Sequence, residues 1–538
     1  MPEEITLEIK NVWTIASLSI ICLVFIWELI EIIKLPIVFG DEGFHAKLAQ
    51  LIAEKQEYFK YYTFTGSELQ RSAFYRAPFW EFLVASFYFL FGFNDIFIKV
   101  LTPFVSSFLG GIVTFILVKK LYGDKFGFLS ALIILTVPSI VTYAMLVYAD
   151  SLFWLYFSSF ILVFILALEE DKEKYYLLAG LFGALAFLTK SPGILVPAIV
   201  FFVFLYQILI EKKSFNIWKK YFILIIPLIL VSSFLIRNFA NYGTLCNIPI
   251  FPSIIKGHCD LDNYTPKYTF SGRTEQTGTE QNVFNFGINN YLAFAYGNLW
   301  LVPFAFAIGV LFLFKNFNRK TFVVLLSLGL LALAMTSTEV NSRAEDTARY
   351  SIGFVPIIAI VSSMFFINLY EFLEKNYKYL GLSIIVFVLF LSYSNFSDKL
   401  NTMKSVKSFS SSFFEACDWI KANTPTNSRI MTVWVWHTTY NCQRNVMGNL
   451  PDLEMSQDLN FSLNVAKLHN ITHIFIQKFS LSNEYLSEKY NVNFVQFLEN
   501  NSNCFKKIYE NGPSLQQCLQ QGGCDGTIVY EINKECLK

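Results

Sequence analysis

The chain has 538 residues, of which 54% are hydrophobic, 18% aromatic and only 15% charged, with a formal net charge of +1. So few charged groups cannot cover a soluble surface of that size, which excludes an ordinary soluble globular protein, and the near-zero charge gives no basis for a nucleic-acid partner. A polytopic membrane protein is left, and its 58 Phe and 28 Tyr residues suit lipid-facing walls and interfacial belts.

The first apolar stretch runs from about Trp13 to Ile33. The acidic start, Met1 to Glu8, lacks the basic region of a signal peptide and no small-residue cleavage site follows, so the stretch reads as a retained span despite Glu28 and Glu31 near its end. Just beyond it stands Gly40-Asp41-Glu42-Gly43-Phe44-His45, two acids and an imidazole at a membrane rim. Phe44, Leu48, Leu51 and Ile52 against Lys47, Gln50, Glu54 and Lys55 then have the spacing of an amphipathic helix lying in the interface. Taken alone, the acids suit a solvated helix start as well as chemistry on a lipid-borne substrate. His45 is open in the same way, as a structural residue or as a contact to phosphate or acceptor.

Runs able to cross about 30 Å of hydrocarbon recur over residues 97–118, 126–147, 151–168, 176–190, 194–210, 221–239, 291–314, 321–336, 350–370 and 379–395. With the first they make about 11 transmembrane helices. Pro78 to Gly92 is apolar but too short to cross, and is laid flat as a juxtamembrane or re-entrant helix; counted as a span it would invert every later loop. The short loops carrying Lys119, Lys120 and Lys125; Lys212, Lys213, Lys219 and Lys220; Lys315, Arg319 and Lys320; and Lys375 with Lys378 then share one side, cytoplasmic by the positive-inside rule. The acidic loop Glu169 to Lys174 gives that side no support. The N-terminus is expected inside, and loops 240–290 and 337–349 and everything after about Ser397 outside.

Cys22 falls in the first span, and the other eight cysteines (Cys246, Cys259, Cys417, Cys442, Cys504, Cys518, Cys524 and Cys536) fall in expected outer regions, where an even number can pair as disulfides. Metal ligation is the rival for Cys518 and Cys524, but no CxxC is present. Sequons at Asn263, Asn395, Asn460, Asn470 and Asn500 are expected outside as well. Residues 1–396 form the expected transmembrane domain. Residues 397–538 turn polar, with a helical stretch at Phe413 to Ala422 and strand-like runs at Arg429 to Trp436, Thr472 to Gln477 and Thr527 to Ile532, an expected extracytoplasmic α/β domain.

Charges gather at the outer ends of spans: Asp150 in Tyr148-Ala149-Asp150, Lys190 in Leu188-Thr189-Lys190-Ser191-Pro192-Gly193, Arg237-Asn238, and Arg343 with Arg349-Tyr350. Each base alone suits snorkelling to headgroups, whereas their grouping beside two acidic sites suits function. No HExxH spacing exists, and His469 and His473, four apart across a turn, read as structural.

From Asp41-Glu42-Gly43-Phe44-His45 through Tyr75-Arg76-Ala77-Pro78, Leu90-Phe91-Gly92, Tyr148-Ala149-Asp150, Thr189-Lys190-Ser191-Pro192-Gly193, Arg237-Asn238 with Gly243, Pro249 and Pro252, and Arg349-Tyr350 with Pro356, the chain resembles the GT-C membrane glycosyltransferases. The similar branch holds the protein O-mannosyltransferases and lipid A aminoarabinose transferases. The resemblance covers most of the membrane domain, and the flat helices of that family's first outer loop agree with the placement of Pro78 to Gly92.

The resemblance implies transfer of a sugar from a polyprenyl (dolichyl or undecaprenyl) phosphate to a hydroxyl on a protein, lipid or glycan acceptor, with inversion. Asp41 matches the general base, with Glu42 orienting the acceptor or sharing the proton. Asp150 would support the base or join Asp41 in holding a divalent cation, the one cofactor the resemblance leaves open. Arg76, Lys190 and Arg349, with Arg237 and Arg343, would bind the donor phosphate, and Tyr75 and His45 would lie near substrate. Met431 to His437 resembles the position of an aromatic-acidic, sequon-reading motif in oligosaccharyltransferases but lacks the acid; Trp434 and Trp436 are core residues or stack on sugar. The implied location is the plasma membrane, or the endoplasmic reticulum of a eukaryote. Two other classes are open, a transporter or flippase guiding an anionic substrate by its rim charges, and a sensor, for which the short cytoplasmic loops leave no signalling module.

Overall fold

The computed structural model describes residues 12–38, 40–55, 77–231, 236, 303–315, 317–337, 349, 352–377, 379–407, 410–432, 435–447, 459–478, 488–514, 517–518 and 524–537. The chain divides into two compact units. The first takes in residues 1–35, 76–259 and 280–405, and the second residues 36–75, 260–279 and 406–538. The acidic motif thus falls in the same compact unit as residues 406–538.

The first unit is helical: α1 (Val12–Lys34), then, beyond the motif helix α2 (Glu42–Lys55) of the second unit, α3 (Phe79–Phe91), α4 (Asp95–Tyr122), α5 (Asp124–Thr136), α6 (Pro138–Ala144), α7 (Ala149–Glu170), α8 (Glu173–Thr189), α9 (Pro192–Leu209), α10 (Trp218–Ile225), α11 (Pro303–Lys315), α12 (Arg319–Ser337), α13 (Ile352–Asn376) and α14 (Leu380–Lys407). Among the described residues six are long and apolar enough to cross a membrane, α1, α4, α7, α9, α13 and α14, or seven if the bent pair α5–α6 is one span. Eleven was expected. The shortfall lies in helices such as α8 and α11, whose 17 and 13 residues fall short of the roughly 20 that cross a bilayer, and in runs 221–239 and 291–314, parts of which lie outside the described residues. The α5–α6 bend is 64°. It falls at extended Val137, ahead of Pro138, which has no N–H to continue the ladder. Helix α3, 13 residues and so about 20 Å long, is too short to span. It buries Trp80, Val84 and Tyr88 and exposes Phe82, Phe89 and Leu90.

Helix α7 is the spine of this unit, buried along nearly its whole length. Phe153, Phe157, Phe160 and Phe164 repeat at helical spacing, and Gly353 is admitted against them because a Cβ there would stand 2.8 Å from the Phe157 ring. Gly110 of α4 similarly makes room for Trp154, whose indole N–H donates to Ser106 Oγ at 2.9 Å. That serine lies in a π-helical turn, Phe104–Leu109, directly after Pro103, which breaks the α-ladder. Its neighbour Ser107 donates to Glu28, which explains how α1 keeps a buried carboxyl. At the far end of α7, Glu170 pairs with Lys120 (2.5 Å), and Glu169 with Lys320 (3.3 Å). Arg319 grips Glu211 with two bonds of 2.8 Å, and Lys220 meets Asp171 at 2.5 Å. The acidic loop that gave the positive-inside side no support is thus packed among its basic loops. Asp150 starts α7, and 22 residues at ~1.5 Å each put it about 30 Å from that charged end.

The second unit carries, after α2, helix α15 (Ser411–Asn423), β1 (Arg429–Met431), α16 (Val435–Cys442), β2 (Asn445–Met447), α17 (Leu459–Leu468), β3 (His473–Gln477), α18 (Glu488–Asn500), β4 (Phe505–Asn511) and β5 (Thr527–Ile532). The sheet order is β2-β1-β3-β5-β4, with β1 parallel to β2 and β3, and β5 antiparallel to β3 and β4. Alternation fills both faces: Ile430, Phe475 and Val529 pack with Phe413 and Ile420 of α15, while Met431, Ile474 and Ile528 pack with Val495 and Leu498 of α18. Disulfides join Cys417–Cys442, Cys504–Cys536 and Cys518–Cys524; Cys22 is free, and Cys246 and Cys259 lie outside the described residues.

Two sequence readings are corrected. The strand expected to Trp436 stops at Met431, and Val435 opens a helix, because β1 has ladder partners for three residues only. Asn395 is not in an outer loop: α14 continues to Lys407, and the buried Asn395 amide donates to the Thr136 carbonyl at 2.8 Å.

Candidate active site

In the first unit the charged residues converge on Asp150, which is fully buried at the start of α7. Tyr148 precedes the helix in an extended conformation, and Ser151 Oγ anchors the turn by donating to the Tyr143 carbonyl at 2.6 Å. Lys190 closes α8 with extended dihedrals just before Pro192, and Gly193 lets the next turn fold back: a Cβ there would meet Phe187 Cα at 2.4 Å. The Lys190 ammonium reaches Asp150 Oδ1 and the Arg349 carbonyl at 3.3 Å. Arg349 Nε lies 3.2 and 3.3 Å from the two Asp150 oxygens, and its guanidinium sits 4.7 Å over the Tyr148 ring. Two cations share one buried carboxylate, and a pair of cations held this way suits an anion. The same arrangement makes Asp150 a poor ligand for a divalent cation, because both oxygens already face cations. No cluster of three His, Cys, Asp or Glu side chains among the described residues could hold a metal ion.

In the second unit the acidic motif is a fixed turn. Gly40 takes a positive φ of 48°, the Asp41 carbonyl accepts from His45 N at 3.1 Å to begin α2, and Asp41 is half-buried at that helix's positive end. Glu42 is fully buried; its Oε1 accepts from Lys407 Nζ at 2.8 Å and its Oε2 from Val38 N at 3.2 Å. Helix α16 packs along α2: Phe44 meets the Trp436 ring edge-on at 5.1 Å, and Asn441 Nδ2 donates to the Ile37 carbonyl at 3.1 Å. Lys47 donates to Gln443, and His45 is buried beside Phe44. Burial holds the His437 imidazole down to about 4, against the pull of the Asp41 charge, so it is neutral at physiological pH.

A protein-family profile, dolichyl-phosphate-mannose-protein mannosyltransferase, matches residues 75–236. No curated protein matches the chain by sequence. Among solved structures, the Archaeoglobus fulgidus oligosaccharyltransferase tethered to an acceptor peptide containing an NVT sequon aligns with TM-score 0.62 at 11% identity, over 98% of this chain and 75% of that one. The archaeal AglB of the same organism, in complex with an inhibitory peptide and a dolichol-phosphate, aligns with TM-score 0.58 at 12% identity, over 94% and 74%. ArnT from Cupriavidus metallidurans bound to undecaprenyl phosphate aligns with TM-score 0.58 at 11% identity, over 98% and 99%. The chain has a GT-C membrane glycosyltransferase fold.

Within this chain the matched segment includes Tyr75, Arg76, Asp150 and Lys190, and leaves out Asp41 and Arg349. The structure brings Asp150, Lys190 and Arg349 together, and separately Asp41, Glu42, His45 and Trp436. Tyr75, Arg76, Arg237, Arg343 and Trp434 lie outside the described residues. Sequence reasoning missed Lys407, one of three lysines (with Lys399 and Lys404) in a polar stretch, and His437, where nothing in the pattern marks burial.

Proposed function

We propose that this GT-C protein moves a sugar from a polyprenyl phosphate to a hydroxyl acceptor at the outer membrane face, with inversion. The observation that carries the reading is the positive cluster of Lys190 and Arg349 around buried Asp150, at the opposite end of α7 from the basic loops. Bound polyprenyl phosphates in ArnT and AglB support it.

In this reading Asp41 takes the acceptor hydroxyl proton as the oxygen attacks the anomeric carbon, and the bond from that carbon to the phosphate oxygen breaks. The leaving lipid phosphate carries the negative charge away, held by Lys190 and Arg349, with Arg76, Arg237 and Arg343 assigned to it from sequence. Asp150 orients the two cations. Glu42, buried with both oxygens bonded, holds the turn instead of meeting the acceptor. Tyr75 and Trp434, from their places in the sequence, and His45 and Trp436 are assigned to the surroundings of substrate.

The test is incubation of purified protein in nanodiscs with radiolabelled dolichyl- or undecaprenyl-phosphate sugars and hydroxyl acceptors. A glycoside product that requires Lys190 supports the reading. Movement of intact lipid across the bilayer without sugar transfer overturns it in favour of a flippase.

A further inference from the structure

The ion pair between Lys407 and Glu42 spans 365 positions in the sequence and is fully buried on both sides. A buried pair of this kind seldom adds net stability, because the desolvation of two charges offsets their attraction, so its consequence is more readily a fixed geometry than a stronger fold. Here the geometry is that of the Asp41 turn. Lys407, the last residue of α14, takes Glu42 Oε1; the other oxygen of the same carboxylate takes Val38 N, on the near side of Gly40. Glu42 therefore ties both arms of the turn to one ammonium. Two further contacts close around it, the Gly43 backbone against the Trp436 carbonyl and Asn441 on the Ile37 carbonyl. All three clamps come from sequence at or beyond Lys407, and they hold residues on either side of Asp41 in the chain.

We propose that Lys407 is a positioning residue for the transfer reaction: through Glu42 it fixes the direction in which α2 presents the Asp41 carboxylate. This rests on the assignment of Asp41 as base. Lys407 is fully buried, so it differs in kind from Lys190, which is part-exposed and assigned to the donor phosphate. Loss of Lys190 should weaken donor binding; loss of Lys407 should leave donor binding intact and slow the chemical step.

The experiment compares wild type, Lys407→Met, Lys407→Arg and the double variant Lys407→Met/Glu42→Gln as full-length protein in nanodiscs, with kcat and donor KM measured per folded molecule. A misplacement of the base by about 1 Å lowers kcat by about 100-fold, and this is the expected loss for Lys407→Met, with donor KM within about twofold and partial recovery in Lys407→Arg. The double variant leaves no unpaired buried charge, so it is the better folded of the two, and it should show the same fall in kcat. Wild-type kcat in the double variant, or a loss confined to KM, overturns the role of Lys407. Full activity in Asp41→Asn overturns the underlying assignment instead, so the two failures are distinct.

Discussion

A Cβ added to Gly43 would stand 2.2 Å from the backbone oxygen of Trp436. The obstacle is main chain, which cannot turn aside as a flexible side chain would, so glycine is what allows α2 and α16 to touch. Gly43→Ala is expected to push the helices apart and cost about 1–3 kcal/mol, read as a fall in thermal midpoint with loss of transfer activity. An unchanged midpoint would show that the helices separate without strain.

His437 gives the second unit a defined acid sensitivity. Its folded pKa, about 4, lies below the ordinary 6.5, so between those values the unfolded chain binds the proton and the folded chain does not. The stability contribution is constant above 6.5 and falls as pH drops toward 4, by roughly 3 kcal/mol in all. Urea or thermal unfolding across this range should lose that dependence in His437→Gln. A parallel pH dependence in variant and wild type would place the acid sensitivity elsewhere.

Asp150 and its two cations should respond unequally to neutralisation. Asp150→Asn removes the buried carboxylate that Lys190 and Arg349 share, and breaking a buried pair in this way costs about 3–5 kcal/mol. Lys190→Met leaves Asp150 with Arg349 still in place, so a milder stability loss is expected, together with a raised donor KM. Thermal midpoints and donor titrations of the two variants separate these outcomes.

The Cys417–Cys442 disulfide ties α15 to the last residue of α16, the helix on which the Asp41 turn rests. Closing a loop of 25 residues restricts the unfolded chain by about 3 kcal/mol. Cys417→Ala/Cys442→Ala should therefore lower the unfolding midpoint of the full chain. Because α16 abuts Gly43 and Phe44, activity should fall ahead of global unfolding.

Much of this was legible in the sequence. Apolar runs located the membrane helices because burial in lipid needs only length and hydropathy, and the runs at 472–477 and 527–532 gave β3 and β5 because short β-branched, apolar stretches suit central strands buried on both faces. Asp150, Lys190 and Arg349 each stand in the sequence as a charge at a span end, and the fold joins them. What sequence could not give was long-range pairing. Lys407 carries no motif, and Trp434-Val435-Trp436 alternates like a strand although Val435 and Trp436 open a helix, since the packing of Trp436 on Phe44 and Gly43 is a tertiary matter that periodicity does not encode. The expected run ends at 395, twelve residues before α14 does, because polar Asn395 and Ser397 end the hydropathy signal before the helix ends.

The central claim is that Asp41 is the base in sugar transfer from a polyprenyl phosphate, and single-turnover transfer by wild type and Asp41→Asn tests it most directly. Wild type should convert the labelled donor to a glycoside of inverted configuration with release of polyprenyl phosphate, while a folded Asp41→Asn variant binds donor and forms no product. Product formed by Asp41→Asn at the wild-type rate would contradict the account.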